Sequence, residues 1–323
     1  MPVEQGGMYL YRDLEQRLPR LIEPRRRELP FESGTDIPTM PDLMPGAHEL
    51  VSTVINDVGD AKILADGAFD FPLVDATASE DRHRVVMAVA GFHIDFQAER
   101  REMYALSNAA ATLRVRQYDQ KMKTCIRAIQ ERRNRIAAFG DTKLNMTGLL
   151  NNANVTPNNS SFDPYTATTA TTMADFFINE VQDFYSGSSD VFFPSVALVS
   201  NTLFFRLISL VMSGTATTVK DHIEKALSEE GIKFEIRKRQ ECSAAKLEAN
   251  GVLAPGTNKD RIVLYSLDPE VVERHIEMIQ MVPIKYVEVH GLKTIYPMFG
   301  CTTETIVNYP GAFAYIDVAK SAA

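Results

Sequence analysis

Catalytic chemistry needs particular residue types at particular spacings, and the nearest approach to such a pattern in this chain is residues 251–258, GVLAPGTN. Two glycines stand at the separation used by a phosphate-cradling loop, but Thr257 and Asn258 occupy the places of the Lys and the hydroxyl residue. Without that Lys no charge reaches a terminal phosphate, so a surface loop is expected. The six histidines, His48, His83, His93, His222, His275 and His290, include no pair at helical metal-ligand spacing. His275 begins HIEMI, which lacks the second His of a zinc-protease helix. Cys125, Cys242 and Cys301 are odd in number and far apart, which suits reduced thiols of a cytosolic protein better than disulfides or a zinc site. No dinucleotide-binding glycine pattern and no nucleophile elbow is present. No catalytic residue, cofactor or metal site is therefore expected. Distant residues can still converge in space, which keeps an α/β enzyme with a scattered site as the alternative of a different class.

A charged stripe is the other feature that could bind something. Arg116, Lys121, Lys123, Arg127, Arg132, Arg133 and Arg135 follow one another along a helical stretch. Asp119 and Glu131 interrupt them, no aromatic residues are interleaved for base stacking, and the whole chain is acidic. With 34 Lys and Arg against 42 Asp and Glu, the net charge of −8 argues against a broad phosphate-neutralising face. A solvated or subunit-facing stripe is the better reading.

The elements that would position these residues fall into regions of different pattern. At 323 residues and 45% hydrophobic, the chain can bury one large core or two joined ones. Residues 1–60 are broken by prolines at 19, 24, 30, 38, 41 and 45 and read as an extended arm with no core of its own, which must find partners elsewhere. Residues 61–106 change to a period of two: Phe69, Phe71 and Leu73 form one limb and Phe92, Ile94 and Phe96 the other, with residues 76–82 as a turn. Such a two-stranded excursion needs a neighbouring surface.

A long helix then starts at an N-cap of Ser107 or Asn108, with Tyr118, Met122, Cys125, Ile129 and Ile136 on one face and Gly140 as the left-handed C-cap. It would be about 45 Å long at the helical rise. Residues 151–172, rich in Asn, Thr and Ser, mark a boundary or surface loop. Helices are expected at 173–185, 201–214 and 218–231, and one that starts at Pro269. Strands are expected at 191–199, 234–239 and 261–267, which together make a helix-flanked sheet. Residues 284–318 carry Gly- and Pro-punctuated strands. The N-terminus lacks the apolar core of a signal peptide, and the apolar window 191–212 is broken by Pro194, Asn201 and Arg206, so neither a cleaved signal nor a membrane span is expected.

The order of these elements resembles the major capsid protein of tailed double-stranded DNA bacteriophages, of the Hong Kong 97 type. The segment EMYALSNAAATLRVRQYDQKMKTCIRAIQERRNRIAAFGDTKLNMTGLLNNANVT is similar to a phage and prophage capsid subfamily in which a long helix leads through a Gly turn into GLLN. The closing VHGLKTIYPMFGCTTETIVNYPGAFAYIDV is similar to that subfamily's last strands. The resemblance implies an α+β fold: an N-arm at 1–60, an E-loop at 61–106, the spine helix and P-domain at 107–160, an A-domain at 161–283 and shared closing strands at 284–323.

It also implies a structural protein that self-assembles into the hexamers and pentamers of an icosahedral virion shell, built in the bacterial cytoplasm around double-stranded DNA bound without sequence specificity. The expected intersubunit contacts are Phe69, Phe71, Phe92, Ile94 and Phe96. A portal protein and, in some members, decoration proteins would be partners. The chain enters the arm directly from Met1, so any scaffold is expected to be a separate protein. Some members crosslink subunits through a Lys and an Asn. Lys62 is the only lysine in the excursion and no motif marks such a pair, so joining is expected to be noncovalent. An encapsulin-like shell around protein cargo shares the fold and is the nearest alternative.

Overall fold

The protein was studied as a computed structural model, which describes residues 24–58, 75–107, 117–167, 169–283, 288–290 and 292–320. Strand β1 (Thr39–Met40) lies within the first described stretch. Strands β2 (Glu49–Val58) and β3 (Asp75–Asp95) then form an antiparallel hairpin, in register from Glu49 opposite Arg84 to Val58 opposite Asp75. Residues 76–82, expected as a turn, are therefore strand. Short polar residues there mimic turn composition, but cross-strand pairing keeps them extended. The first limb expected at Phe69, Phe71 and Leu73 lies outside the described residues.

Helix α1 (Phe96–Ser107) follows β3 directly, and helix α2 (Gln117–Phe139) is the spine. Ser107 thus ends a helix instead of capping one, and Asn108 lies outside the described residues. The 23 residues of α2 span about 34 Å, shorter than the expected single helix. The alternation stops at Asp95 because QAERREMYALS consists mostly of strong helix formers.

Helix α2 ends in a closed hydrogen-bond account. An α-helix leaves its last four carbonyls without helical donors. Here Ile136 accepts from the Gly140 N–H at 2.7 Å, Ala137 from the Leu149 N–H at 2.9 Å, Ala138 from the Leu150 N–H at 3.0 Å and Phe139 from the Asn151 amide at 2.9 Å. The GLLN segment is therefore the cap of the spine. Gly140 is left-handed, with φ 68°, and a Cβ there would lie 2.1 Å from the Met146 carbonyl oxygen. At Gly148 it would lie 2.5 Å from the backbone of Ala138 and Phe139, so neither position admits a side chain.

The remaining elements are β4 (Pro157–Asn159), α3 (Ala170–Gly187), β5 (Val196–Val199), α4 (Asn201–Ser209), α5 (Val219–Glu229), β6 (Glu235–Lys238), α6 (Ala244–Ala249), β7 (Lys259–Tyr265), β8 (Val272–His275), β9 (Gln280–Met281), β10 (Glu288–His290), β11 (Lys293–Thr303), β12 (Ile306–Val307) and β13 (Phe313–Ala319). A five-stranded sheet in the order β4-β13-β7-β5-β6 is buried on both faces. Leu198, Val263, Tyr265 and Tyr315 pack towards the end of the spine, with Ala137, Phe139 and Leu149. Val199, Ile262, Leu264 and Ile316 pack towards α3, α4 and α5, on Met173, Leu207 and Ile223. The alternation of one strand set fills two cores, which is why residues 262–265 of β7, IVLY, form an unbroken apolar run.

In a second sheet β11 pairs with the far half of β3, from Lys293 opposite Asp95 to Thr303 opposite Val85. Strand β3 is thus a 21-residue strip whose first half is hairpin and whose second half carries the spine. The helix expected from Pro269 is instead β8, between β1 and β12 in a third sheet. The spacing of Val271, Val272, Ile276 and Ile279 reads as helical, but pairing with β1 and β12 keeps the segment extended, and the fully buried Arg274 guanidinium donates to the Phe31 carbonyl and the Thr302 hydroxyl. The strand expected at 191–199 is confined to Val196–Val199, beyond Pro194.

The arm also departs from expectation. Leu29, Phe31 and Ile37 are buried in the chain's own core. Asn134 of the spine accepts the N–H groups of Phe31 and Glu32 at 3.1 and 3.2 Å, and the Tyr265 hydroxyl donates to the Asp36 carbonyl at 2.8 Å. The described part of the arm folds onto its own subunit because its few large apolar residues find sockets there.

Candidate intersubunit surface

The residues with chemical potential are spent on packing. In the 251–258 loop the Glu248 carboxylate accepts the Asn258 N–H at 2.8 Å. Backbone N–H groups of the loop hold that carboxyl below the usual range, so the chain's own anion occupies the position that a phosphate would need. His83 lies 3.4 Å from Glu304, and His275 lies 2.6 Å from Asp42. No group of three or more His, Cys, Asp or Glu among the described residues could hold a metal ion. All three cysteines are buried and unpaired, and burial pushes the Cys301 thiol up to about 12, helped by Glu277. No helix among the described residues is long and apolar enough to cross a membrane.

Buried charge fixes the arm to the body of the subunit. The Glu32 carboxylate bridges the guanidinium groups of Arg133 at 3.2 Å and Arg274 at 3.1 Å, both of them buried. Burial holds the Arg274 guanidinium down to about 10, against the pull of Glu32. Asp36 pairs with Arg237 and Arg239, and Arg261 forms a two-pronged pair with Asp317 at 2.7 and 2.8 Å. The basic stripe of the spine is largely engaged within the subunit. Lys121 donates to the His93 carbonyl at 2.6 Å, Arg127 pairs with Glu131 at 2.9 Å, Arg132 pairs with Asp141, and Arg133 is buried.

The expected contact residues separate into three groups. Phe92 and Ile94, 8% and 9% exposed, sit under the spine against Cys125, Ile129 and Met298. Phe92 meets Tyr118 edge-on at 5.4 Å and stacks on Tyr296 at 5.3 Å. This chain already covers both residues, which are core, because α2 lies across the even positions of β3. Phe96 has left the strand, opens α1 and is 50% exposed, with the Arg100 guanidinium 5.7 Å from its ring. Phe69 and Phe71 lie outside the described residues.

The uncovered apolar residues are others. On β3 the odd positions Met87 and Val89 are 59% and 60% exposed, and Val51 and Ile55 of β2 are exposed as well. Phe205 and Ile208 of α4 and the nearby Val211 are exposed apolar residues as well. Met87 and Val89 escape a sequence reading because VVMAVAGFHID is apolar at both parities before Gly91, so only the covering helix tells the faces apart. On α4 the signal is legible: Leu203 and Leu207 share one face, and Phe205 stands apart from them.

A family model described as major capsid protein matches residues 59–318. No curated protein matches the chain. Among solved structures, the fold is similar to the capsid of Myoviridae phage XM1, at 12% identity with a TM-score of 0.74 over 97% of this chain and 100% of that one. It is similar to the capsid of native GTA particle, at 8% identity with a TM-score of 0.60 over 98% of each chain. It is also similar to a chain of Mycobacterium phage Adephagia, at 10% identity with a TM-score of 0.59 over 96% of this chain and 95% of that one.

Proposed function

This chain belongs to the major capsid protein family, and from that premise we propose that its copies join as hexamers and pentamers into a closed icosahedral shell around a double-stranded DNA genome. It is a structural capsid subunit with the α+β fold of the Hong Kong 97 type. The single observation that carries the reading is the family match over residues 59–318, borne by a chain whose spine, hairpin and doubly covered sheet stand in the same order. Its work on this reading is mechanical, with no catalytic step. In support, the buried ionisable clusters among the described residues tie the arm and the sheets together.

Contacts between copies are assigned to the exposed apolar positions Phe96, Met87, Val89 and Ile55, to Phe69 and Phe71 from the sequence pattern, and to Phe205 and Ile208 where compact domains would meet around an axis. Many modest interfaces add up when the shell closes. A portal protein, a scaffold and, on some shells, decoration proteins complete the partners, and assembly takes place in the host cytoplasm. The net charge of −8 suits a wall that encloses DNA without gripping its phosphates.

Electron microscopy of the purified protein tests the reading. Closed shells with fivefold and sixfold clusters are expected. A protein that stays monomeric at high concentration, with and without scaffold, would sink it.

A further inference from the structure

Two hollows of 290 and 310 Å³ lie side by side at the C-terminal end of the spine and share Arg135, Phe139 and Asn250 as walls. Three carboxylates line this groove, and each is already paired: Asp141 with Arg132, Glu131 with Arg127 and Glu241 with Arg27. Three cations of the lining are left over. Arg135 donates through Nε to the neutral Asn250 side chain at 2.9 Å, and none of Arg135, Lys143 and Lys246 has an ion-pair partner among the described residues. An acidic chain thus keeps one concave place with excess positive charge.

The three cations come from three elements: Arg135 from α2, Lys143 from the turn after Gly140, and Lys246 from α6. All three are exposed. Thr142, beside Lys143 in the same wall, adds a hydroxyl. The C-terminal end of a helix ordinarily repels an anion through its free carbonyls. Here the last four carbonyls of α2 already accept from Gly140, Leu149, Leu150 and Asn151, so the negative pole is covered.

We propose that this groove is a phosphate-binding site and that its ligand is the backbone of DNA, held by Arg135, Lys143 and Lys246. The inference rests on the chain being a shell subunit, whose enclosed polymer is a phosphodiester. Donors that converge from three elements suit a tetrahedral phosphate, with acceptor oxygens facing several ways, better than a planar carboxylate. Two adjoining hollows offer places to neighbouring phosphates of one strand. Phosphate contacts carry no sequence information, so the site takes any DNA. With a net charge of −8 the chain as a whole repels DNA, which confines the grip to this groove on each subunit.

The unassembled full-length protein tests this by fluorescence anisotropy with a short labelled DNA duplex of mixed sequence, titrated at several salt concentrations. The logarithm of the association constant should fall against the logarithm of salt with a slope of about −3, the sum of three contacts at about −0.9 each. The double variant Lys143→Ala, Lys246→Ala should melt as the unaltered protein does, bind about tenfold more weakly at low salt and show a slope of about −1. Bound duplex should also protect Lys143 and Lys246 from acetylation, read by mass spectrometry. Equal affinity and slope in the variant overturn the inference, as does a duplex that fails to bind the unaltered protein. Protection of both lysines by inorganic phosphate but not by the duplex overturns the assignment to DNA and gives the groove to the free ion. A variant that binds duplex normally yet forms fewer shells also overturns it, and gives the groove to an acidic protein surface. If the unaltered protein forms no shells while the variant still loses the duplex, it is the subunit reading that fails and the phosphate site that stands.

Discussion

Phe92 and Phe96 lie four residues apart in one apolar alternation, yet one is enclosed by the spine and the other faces solvent. The difference is testable at its neighbours. Ile94→Asp places an unpaired carboxylate among Cys125, Ile129 and Met298, so urea unfolding should show a loss on the order of 4 kcal/mol, and assembly fails because the subunit does. Val89→Asp, on the open face of the same strand, should change subunit stability by no more than about 0.5 kcal/mol while it lowers shell yield. Equal destabilisation by the two variants would show that the two faces of β3 are alike. Glu32 carries a different kind of weight. Glu32→Gln leaves two buried guanidiniums facing one neutral amide, and a cost of about 3–5 kcal/mol is expected in the same unfolding assay. The loss should appear first as protease cleavage within the arm, because the Glu32 carboxylate is one of the ties from the arm to the spine and to β8.

The spine and its cap behave as one element. The four last carbonyls of α2 are served by Gly140, Leu149, Leu150 and Asn151, and the backbone of residues 148–150 must approach within hydrogen-bond distance of the helix end. Gly148→Ala drives a methyl group into the Ala138–Phe139 backbone, where nothing flexible can yield. A loss on the order of 3 kcal/mol is expected by thermal or urea unfolding, together with faster amide exchange at Leu149 and Leu150. Unchanged exchange at those two amides would mean that the cap is not coupled to the glycine. The hairpin is the contrasting element. Its paired strands are anchored at Arg84 and extend away from the core, a geometry suited to reaching another copy.

At the scale of the whole molecule, one sheet divides two cores and exposed apolar residues stand on separate elements, strand β3 and helix α4. Separate patches on one subunit make rings and closed shells possible, where a single self-complementary patch would stop at a dimer. Phe205→Asp should leave the subunit folded, with an unchanged circular dichroism melt, and should deplete the hexameric and pentameric intermediates seen by mass photometry. Unchanged intermediates would remove α4 from the contact between copies.

Local patterns were enough to determine several features: Gly140 as a left-handed cap, the helical face through Cys125, Ile129 and Ile136, the start of α5 at Thr218, and the α+β succession. Each depends on residues within a few positions of one another. Tertiary structure alone decided which parity of β3 is covered, since VVMAVAGFHID is apolar on both sides before Gly91 and the covering helix comes from elsewhere in the chain. It also turned the helix-like VVERHIEM segment into strand β8, through pairing with β1 and β12, and set the buried Arg274 against Phe31 and Thr302 across long sequence separations. Residues 76–82 became strand through pairing with β2, and the arm found its sockets on its own spine. Spacing in a sequence reports what a residue's near neighbours allow, whereas burial and charge pairing depend on distant segments that meet only in the folded chain.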